Sequence, residues 1–206
     1  MKDLFRGPLL ALDPTFYRDS EENRQEAERR LRTLELGDPV NVALAINGAT
    51  AAATTTFSAA YPAIAALRGD RQGKYHGVYG TFQALQAAPS LAVAPVTFTV
   101  TFVTPTEISR IDLVTLQDAY MTPIVPDAST TFTLYGLTAF DVKWFDPAGT
   151  RTLIEAVTGN TLVIHRNDFA PVLAAGVEIV CKGTPDNYAR IAFVGAYSAL
   201  YTFQRT

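Results

Sequence analysis

The stretch Val96-Thr97-Phe98-Thr99-Val100-Thr101-Phe102 alternates apolar and hydroxyl-bearing side chains without a break. Successive side chains of a strand point to opposite faces, so strict period-two alternation marks a strand with one face in a core and one toward water. Working outward from it, the same grammar predicts strands at 108–116, 131–135, 139–145, 152–156, 161–165, 177–182 and 188–197. Turn signals separate them: Thr104-Pro105, Pro123 and Pro126, Asp146-Pro147-Ala148-Gly149, Gly159-Asn160 and Gly183-Thr184-Pro185-Asp186-Asn187. Short strands at this spacing, with no amphipathic helices between them, indicate an antiparallel sandwich or barrel. Phe140, Val142 and Trp144 share one face of their strand, which assigns them to core packing.

Residues before about 40 follow a different grammar. Gly7-Pro8 and Asp13-Pro14 break regular structure, so residues 1–15 are expected to be extended. Asp19 can then cap a helix, with Glu22 completing the capping-box pattern, and Gly37-Asp38-Pro39 ends it. The apolar stripe of that helix is thin: Ala27, Leu31 and Leu34 amid alternating charge. So narrow a seam cannot stabilise a short helix alone. Two partners suit it: the same helix of neighbouring subunits, with a trimer in view, or the sandwich of its own chain. The chain is therefore divided into an anchoring or oligomerisation segment, 1–40, and a β-sandwich, 41–206.

Composition excludes several function classes. Nearly half of the 206 residues are apolar, enough for a substantial core. The net charge of −3 offers no attraction for a phosphate backbone, so no nucleic-acid partner is expected. No apolar run reaches the length of a membrane span, and Met1-Lys2-Asp3-Leu4-Phe5-Arg6-Gly7-Pro8-Leu9-Leu10 is too short in its apolar part for a signal peptide. Cys181, the one cysteine, excludes an internal disulfide and reads as a small buried hydrophobe in a strand. His76 and His165 have no companion motif, and Asp112, Asp118, Asp127 and Asp141 show no pairing, so no catalytic residue is expected and the protein is read as a non-enzyme.

Three stretches in order carry a family resemblance. The first is Asn41-Val42-Ala43-Leu44-Ala45-Ile46-Asn47-Gly48-Ala49-Thr50 with Thr56-Phe57-Ser58-Ala59-Ala60-Tyr61-Pro62. The second runs from Phe98 to Tyr120, above all Ile111-Asp112-Leu113-Val114-Thr115-Leu116-Gln117-Asp118-Ala119-Tyr120. The third is Tyr135-Gly136-Leu137-Thr138-Ala139-Phe140-Asp141-Val142-Lys143-Trp144, continuing at Tyr188-Ala189-Arg190-Ile191. Together they resemble the F5/8 type C family, also called discoidin or galactose-binding-like, as found in phage virion and microbial surface proteins. The resemblance covers about four-fifths of the chain. It implies an all-β, antiparallel jelly-roll-like β-sandwich of some eight strands, with its two ends close together, preceded here by the extended segment and short helix.

The departures from the family pattern carry their own expectation. The family often holds a structural calcium in the loop that here reads Ala66-Leu67-Arg68-Gly69-Asp70-Arg71-Gln72-Gly73. Calcium requires several hard oxygens. Arg68 stands where many relatives have Asp, Gln72 replaces a hydroxyl, and Gly195 falls where a Glu often closes the site. No metal and no other cofactor are therefore expected. His76 takes the place of a loop Trp. Sugar recognition in the family uses loops at one end of the sandwich, through an aromatic face and polar side chains. Arg68, Asp70, Tyr75, His76, Asp118, Tyr120 and Tyr188 are the candidate ligand-binding residues on that basis. The letters Arg68-Gly69-Asp70 match the integrin tripeptide, but the family pattern already accounts for the Gly-Asp pair.

Two functions follow from this reading. The first is a structural virion protein of a tailed bacteriophage, a fibre, spike, adaptor or capsid decoration, with other virion proteins, copies of itself and a host-surface glycan as partners. Lysis would release such a protein without a secretion signal. The second is a carbohydrate-binding module of a bacterial surface or secreted protein, located outside the cell or on its surface.

Overall fold

A computed structural model of the chain describes residues 40–73 and 81–198. The helix expected near residues 19–36, with Ala27, Leu31 and Leu34, lies outside the described residues, as do Tyr75 and His76. Asn41–Ala199 form one compact unit.

Seven strands occur among the described residues: β1 (Thr50–Ala53), β2 (Phe82–Gln83), β3 (Val96–Thr115), β4 (Ala139–Phe145), β5 (Arg151–Thr158), β6 (Ile164–Gly183) and β7 (Arg190–Ser198). All their pairings are antiparallel, in the order β2-β7-β3-β6-β4-β5, with β1 also pairing β3. Among the described residues the architecture is the expected antiparallel β-sandwich.

The two 20-residue strands make it one. The first part of β3 lies between β1 and the last part of β6; the second part lies between β7 and the first part of β6. Between these parts the register breaks, from Thr101↔Gly176 to Thr106↔Ala174 and again from Ile108↔Val172 to Arg110↔Asp168. Such irregularities bend strands and increase their twist. Pro105 and Pro171, which have no N–H to give a ladder, both fall in the unpaired intervals. Gly176 sits at the bend because a Cβ there would meet the Val100 carbonyl oxygen and the Phe145 ring.

The paired strands thus fold over, and the two halves face each other. Phe98, Val100, Phe140, Val142, Val177, Ile179 and Cys181 come from one half, and Phe82, Ile111, Leu113, Ile191 and Val194 from the other, in one buried cluster. Direct contacts cross the interior: Phe82 meets Phe98 at 5.0 Å between ring centroids, and Phe140 meets His165 at 5.2 Å. Each such apolar side chain contributes about 1.5–3 kcal/mol when fully buried. Burial also pushes the Cys181 thiol up to about 12, so it stays protonated and packs as a hydrophobe. Phe140 and Val142 are buried as expected of core residues, while Trp144 is half-buried against the same cluster.

The strand boundaries differ from expectation in four places. Thr104-Pro105 is a bulged corner inside β3 rather than a turn, because β6 continues the pairing on both sides of it. Of the strand expected at 161–165 only Ile164 and His165 are strand residues, and they open β6, which runs on without interruption through the strand expected at 177–182. Residues 131–135 form only an isolated bridge, Thr131↔Leu162, since the N–H groups of Thr133, Leu134 and Tyr135 are taken by the Asp118 carboxylate instead of a ladder. β1 (Thr-Ala-Ala-Ala) and the two-residue β2 escaped the pattern because they carry little alternation or β-propensity.

Folding β3 and β6 double sets the polarity of the module. Their bends, the start of β1 and the end of β7 lie at one end. The entering and leaving chain meet there too: Asn41 bridges Tyr197, Val42 N–H donates to Ala196 O at 2.8 Å, and Asn41 Oδ1 accepts from Ala196 N–H at 3.0 Å. The close approach of the module's two ends is therefore observed. The β3–β4 and β6–β7 loops and the part of the β1–β2 connection around Phe57 gather at the opposite end.

Candidate loop-end site

The β3–β4 loop is held by three buried or half-buried polar side chains. The Thr115 hydroxyl accepts from Leu137 N–H at 2.8 Å and donates to Arg190 O at 3.1 Å, tying the loop to the start of β7. Gln117 donates to the Gln72 and Ile124 carbonyls, both at 2.9 Å, and accepts from Ile124 N–H. Asp118 uses both carboxylate oxygens: Oδ2 accepts from Thr133 N–H and hydroxyl, Oδ1 from Leu134 and Tyr135 N–H. Partial burial works to raise the Asp118 pKa, but the hydrogen bonds from Leu134, Thr133 and Tyr135 outweigh it and hold the carboxyl below its ordinary value.

These anchors bring aromatic side chains from three loops into one continuous run. Tyr120 meets Tyr135 edge-to-face, with ring centroids 5.5 Å apart. The Arg190 guanidinium lies over the Tyr135 ring at 5.2 Å and over the Tyr188 ring at 5.0 Å. Tyr188 meets Phe57 at 6.0 Å, and Phe57 meets Tyr61 at 5.4 Å, both edge-on. Arg190 is the buried pivot of this run. Its charge is balanced by Asp186 at 2.8 Å, and Nε donates to Gln83 Oε1 at 3.3 Å. Phe57 is 44% exposed, and the four tyrosines are half-buried, so the run has a solvent-facing side.

The structure thus joins three of the expected site residues. Asp118, Tyr120 and Tyr188 belong to this end, with Asp118 a clamp for the loop that carries Tyr135. Arg68 closes the short 3-10 turn Ala63–Leu67 and is exposed. Asp70 Oδ1 accepts from Gln72 N–H at 2.8 Å. Their neighbour Arg71 turns to the outer face of β3 and β7, reaching Asp112 Oδ2 at 2.7 Å, the Tyr197 hydroxyl at 2.8 Å and the Phe193 ring. Tyr135, Arg190, Phe57 and Tyr61 were missed as site residues. Tyr135 read as a strand residue, and nothing local announces that a strand-borne Arg190 is buried between two rings.

Calcium does not fit the residues at its family position. Gly195 supplies no side-chain oxygen, and the nearest cross-strand carboxylate, Asp112, is engaged by the Arg71 guanidinium. Among the described residues no group of three or more His, Cys, Asp or Glu side chains is placed to hold a metal ion. The four aspartates with no visible pairing are each engaged locally: Asp112 by Arg71, Asp118 by its loop, Asp127 by Ser129 and Thr130, and Asp141 by Lys182 at 2.6 Å. His165 pairs with Glu155 at 2.8 Å and packs edge-on to Phe140. Among the described residues no helix is long and apolar enough to cross a membrane.

No protein-family model matches the chain, and no curated protein matches it in sequence. Solved structures do match in fold. One is the family 32 carbohydrate-binding module of Clostridium perfringens NanJ in complex with galactose, at TM-score 0.54 and 20% identity, covering 77% of this chain and 100% of that one. Another is the fucose-binding module SpX-3 of Streptococcus pneumoniae, at TM-score 0.58 and 14% identity over 78% of this chain and 98% of that one. A third is the family 32 module of S. pneumoniae EndoD, at TM-score 0.56 and 17% identity over 78% and 100%. The fold of this chain is that of the family 32 carbohydrate-binding modules, the discoidin or galactose-binding-like sandwich.

Proposed function

We propose that this sandwich is a non-catalytic carbohydrate-binding module that works at a cell surface or outside the cell. The observation that carries the reading is the run Tyr120-Tyr135-Arg190-Tyr188-Phe57-Tyr61 at the loop end. A pyranose has an apolar C–H face and a rim of hydroxyls, so it is recognised by aromatic faces flanked by hydrogen-bonding groups. Tyrosine supplies both in one side chain. Four tyrosines belong to this end, and the loop that carries Tyr120 and Tyr135 is clamped by Thr115, Gln117 and Asp118. A rigid rim loses little entropy on binding. The solved relatives, modules for galactose and fucose among them, support a sugar as ligand.

A virion subunit, assembled with other virion proteins or as a trimer through Ala27, Leu31 and Leu34, depends on residues 1–38, which lie outside the described residues. Nothing in the relatives or at the loop end favours it over the carbohydrate-binding reading. Host glycan remains the shared partner of both.

Isothermal titration with galactose, fucose and GalNAc-β-1,3-galactose tests the proposal. Binding to at least one sugar at roughly millimolar affinity or tighter, about −4 kcal/mol, is expected. Tyr188→Ala should abolish it while the far-ultraviolet circular dichroism stays unchanged. Silence from all three sugars and from a broad glycan array, with folded protein, defeats the proposal.

A further inference from the structure

We infer that the loop end takes a soluble, uncharged oligosaccharide chain along several of its sugars, rather than a single terminal sugar, a flat polysaccharide surface or an acidic glycan. This deepens the carbohydrate-binding reading and rests on it.

Extent comes first. The aromatic run draws on three loops, with Tyr120 and Tyr135 from β3–β4, Tyr188 from β6–β7, and Phe57 and Tyr61 from β1–β2. Five rings linked at 5.4–6.0 Å, or through one guanidinium, exceed what a single pyranose can cover. Orientation comes second. Neighbouring rings in contact stand at 72–84° to each other, so they do not form a level platform. A crystalline polysaccharide presents coplanar sugar faces and finds no matching plane here. A single chain in solution can rotate successive sugars about its linkages and meet each ring in turn.

Charge comes third. The cation within the run is Arg190, and it is already committed to the Asp186 carboxylate, to Gln83 Oε1 and to two ring faces, with its side chain only 8% exposed. The Arg190–Asp186 pair is neutral overall, and Asp118 adds a negative charge at the same end. A carboxylate or sulfate on the glycan would meet the Asp118 charge and no uncommitted guanidinium within the run.

The test uses the full chain and titrates two series, galactan oligosaccharides and N-acetylglucosamine oligomers, each from one to six units. Polygalacturonate and insoluble chitin are the acidic and flat comparisons. In one series the affinity should rise at least about tenfold from monomer to tetramer. Tyr120→Ala, at one extremity of the run, should bring the tetramer-to-monomer affinity ratio down to within about twofold. Phe57→Ala, on the other side of Arg190, should do the same, so the test does not hang on one variant's folding. Polygalacturonate should not bind, and chitin should not retain the protein. Equal affinity for monomer and hexamer overturns the extended-chain inference while leaving sugar binding intact. Binding to polygalacturonate or retention on chitin overturns the specificity. No binding by either series overturns the inference, and the reading beneath it falls as well when the three sugars and the glycan array are also silent.

Discussion

Replacing Arg190 with Met tests whether the loop end is organised by one buried guanidinium. Methionine fills similar volume without the charge or the planar donors. Three interactions disappear: the ion pair with Asp186 at 2.8 Å, the bond to Gln83 Oε1, and the contacts with the Tyr135 and Tyr188 rings. Each ring contact is worth about 0.5–1 kcal/mol at a partly exposed site. The Gln83 bond adds about 1 kcal/mol, since the buried amide is left without that donor. The Asp186 side chain is 32% exposed and can rehydrate, which limits its ion pair to about 1 kcal/mol or less. The expected loss is about 2–4 kcal/mol, seen in urea as a lower midpoint with an unchanged slope. At this size it corresponds to roughly 5–15 °C in Tm. Arg190→Lys keeps the charge but not the planar fork, so it should fall between the two. A cycle of Arg190→Met with Tyr135→Leu should show a coupling of about 0.5–1 kcal/mol. A midpoint unmoved in Arg190→Met, or a Lys variant as stable as the parent, would refute the argument.

Two further outcomes follow from the same geometry. Asp118→Asn keeps shape but replaces one acceptor oxygen with a donor, so the 133–135 loop should loosen, seen as faster hydrogen exchange at Thr133, Leu134 and Tyr135. The folded pKa of Asp118 is depressed, so its contribution is present above the ordinary carboxylate value and fades as pH falls through the lower folded value. Acid unfolding of the variant should accordingly show a shallower pH dependence below about pH 4, and an identical profile would contradict this. Gly176→Ala places a methyl against the Val100 carbonyl and the Phe145 ring at the bend of β6. Backbone leaves little room to yield, so a loss of about 1–3 kcal/mol or more is expected in thermal or urea unfolding; a neutral result would show that the bend is not tightly packed.

The loop end shows how far each kind of information reaches. Tyr120, Asp118 and Tyr188 could be named from the sequence because they sit in turn-rich segments of a stretch resembling a known family. Their roles could not. Asp118 and Tyr120 are two residues apart, yet one is a clamp beneath the loop and the other part of its aromatic rim. Tyr135 and Arg190 are 55 positions apart in the chain. Their stacking exists only because Thr115 and Asp118 hold the β3–β4 loop against the start of β7.

Alternation over Val96-Thr97-Phe98-Thr99-Val100-Thr101-Phe102 was enough, by itself, to determine a strand with one buried face there. Period two is a local property, and burial of every second side chain follows from it. The sequence alone also determined that Cys181 forms no internal disulfide and that Phe140 and Val142 face the core. Tertiary structure decided that Thr104-Pro105 is a corner within one long strand, that β3 and β6 fold double, and that aromatics from three loops meet at the end opposite Asn41 and Ser198. Those outcomes depend on which distant backbone accepts which hydrogen bond, and no local pattern of side chains encodes that choice.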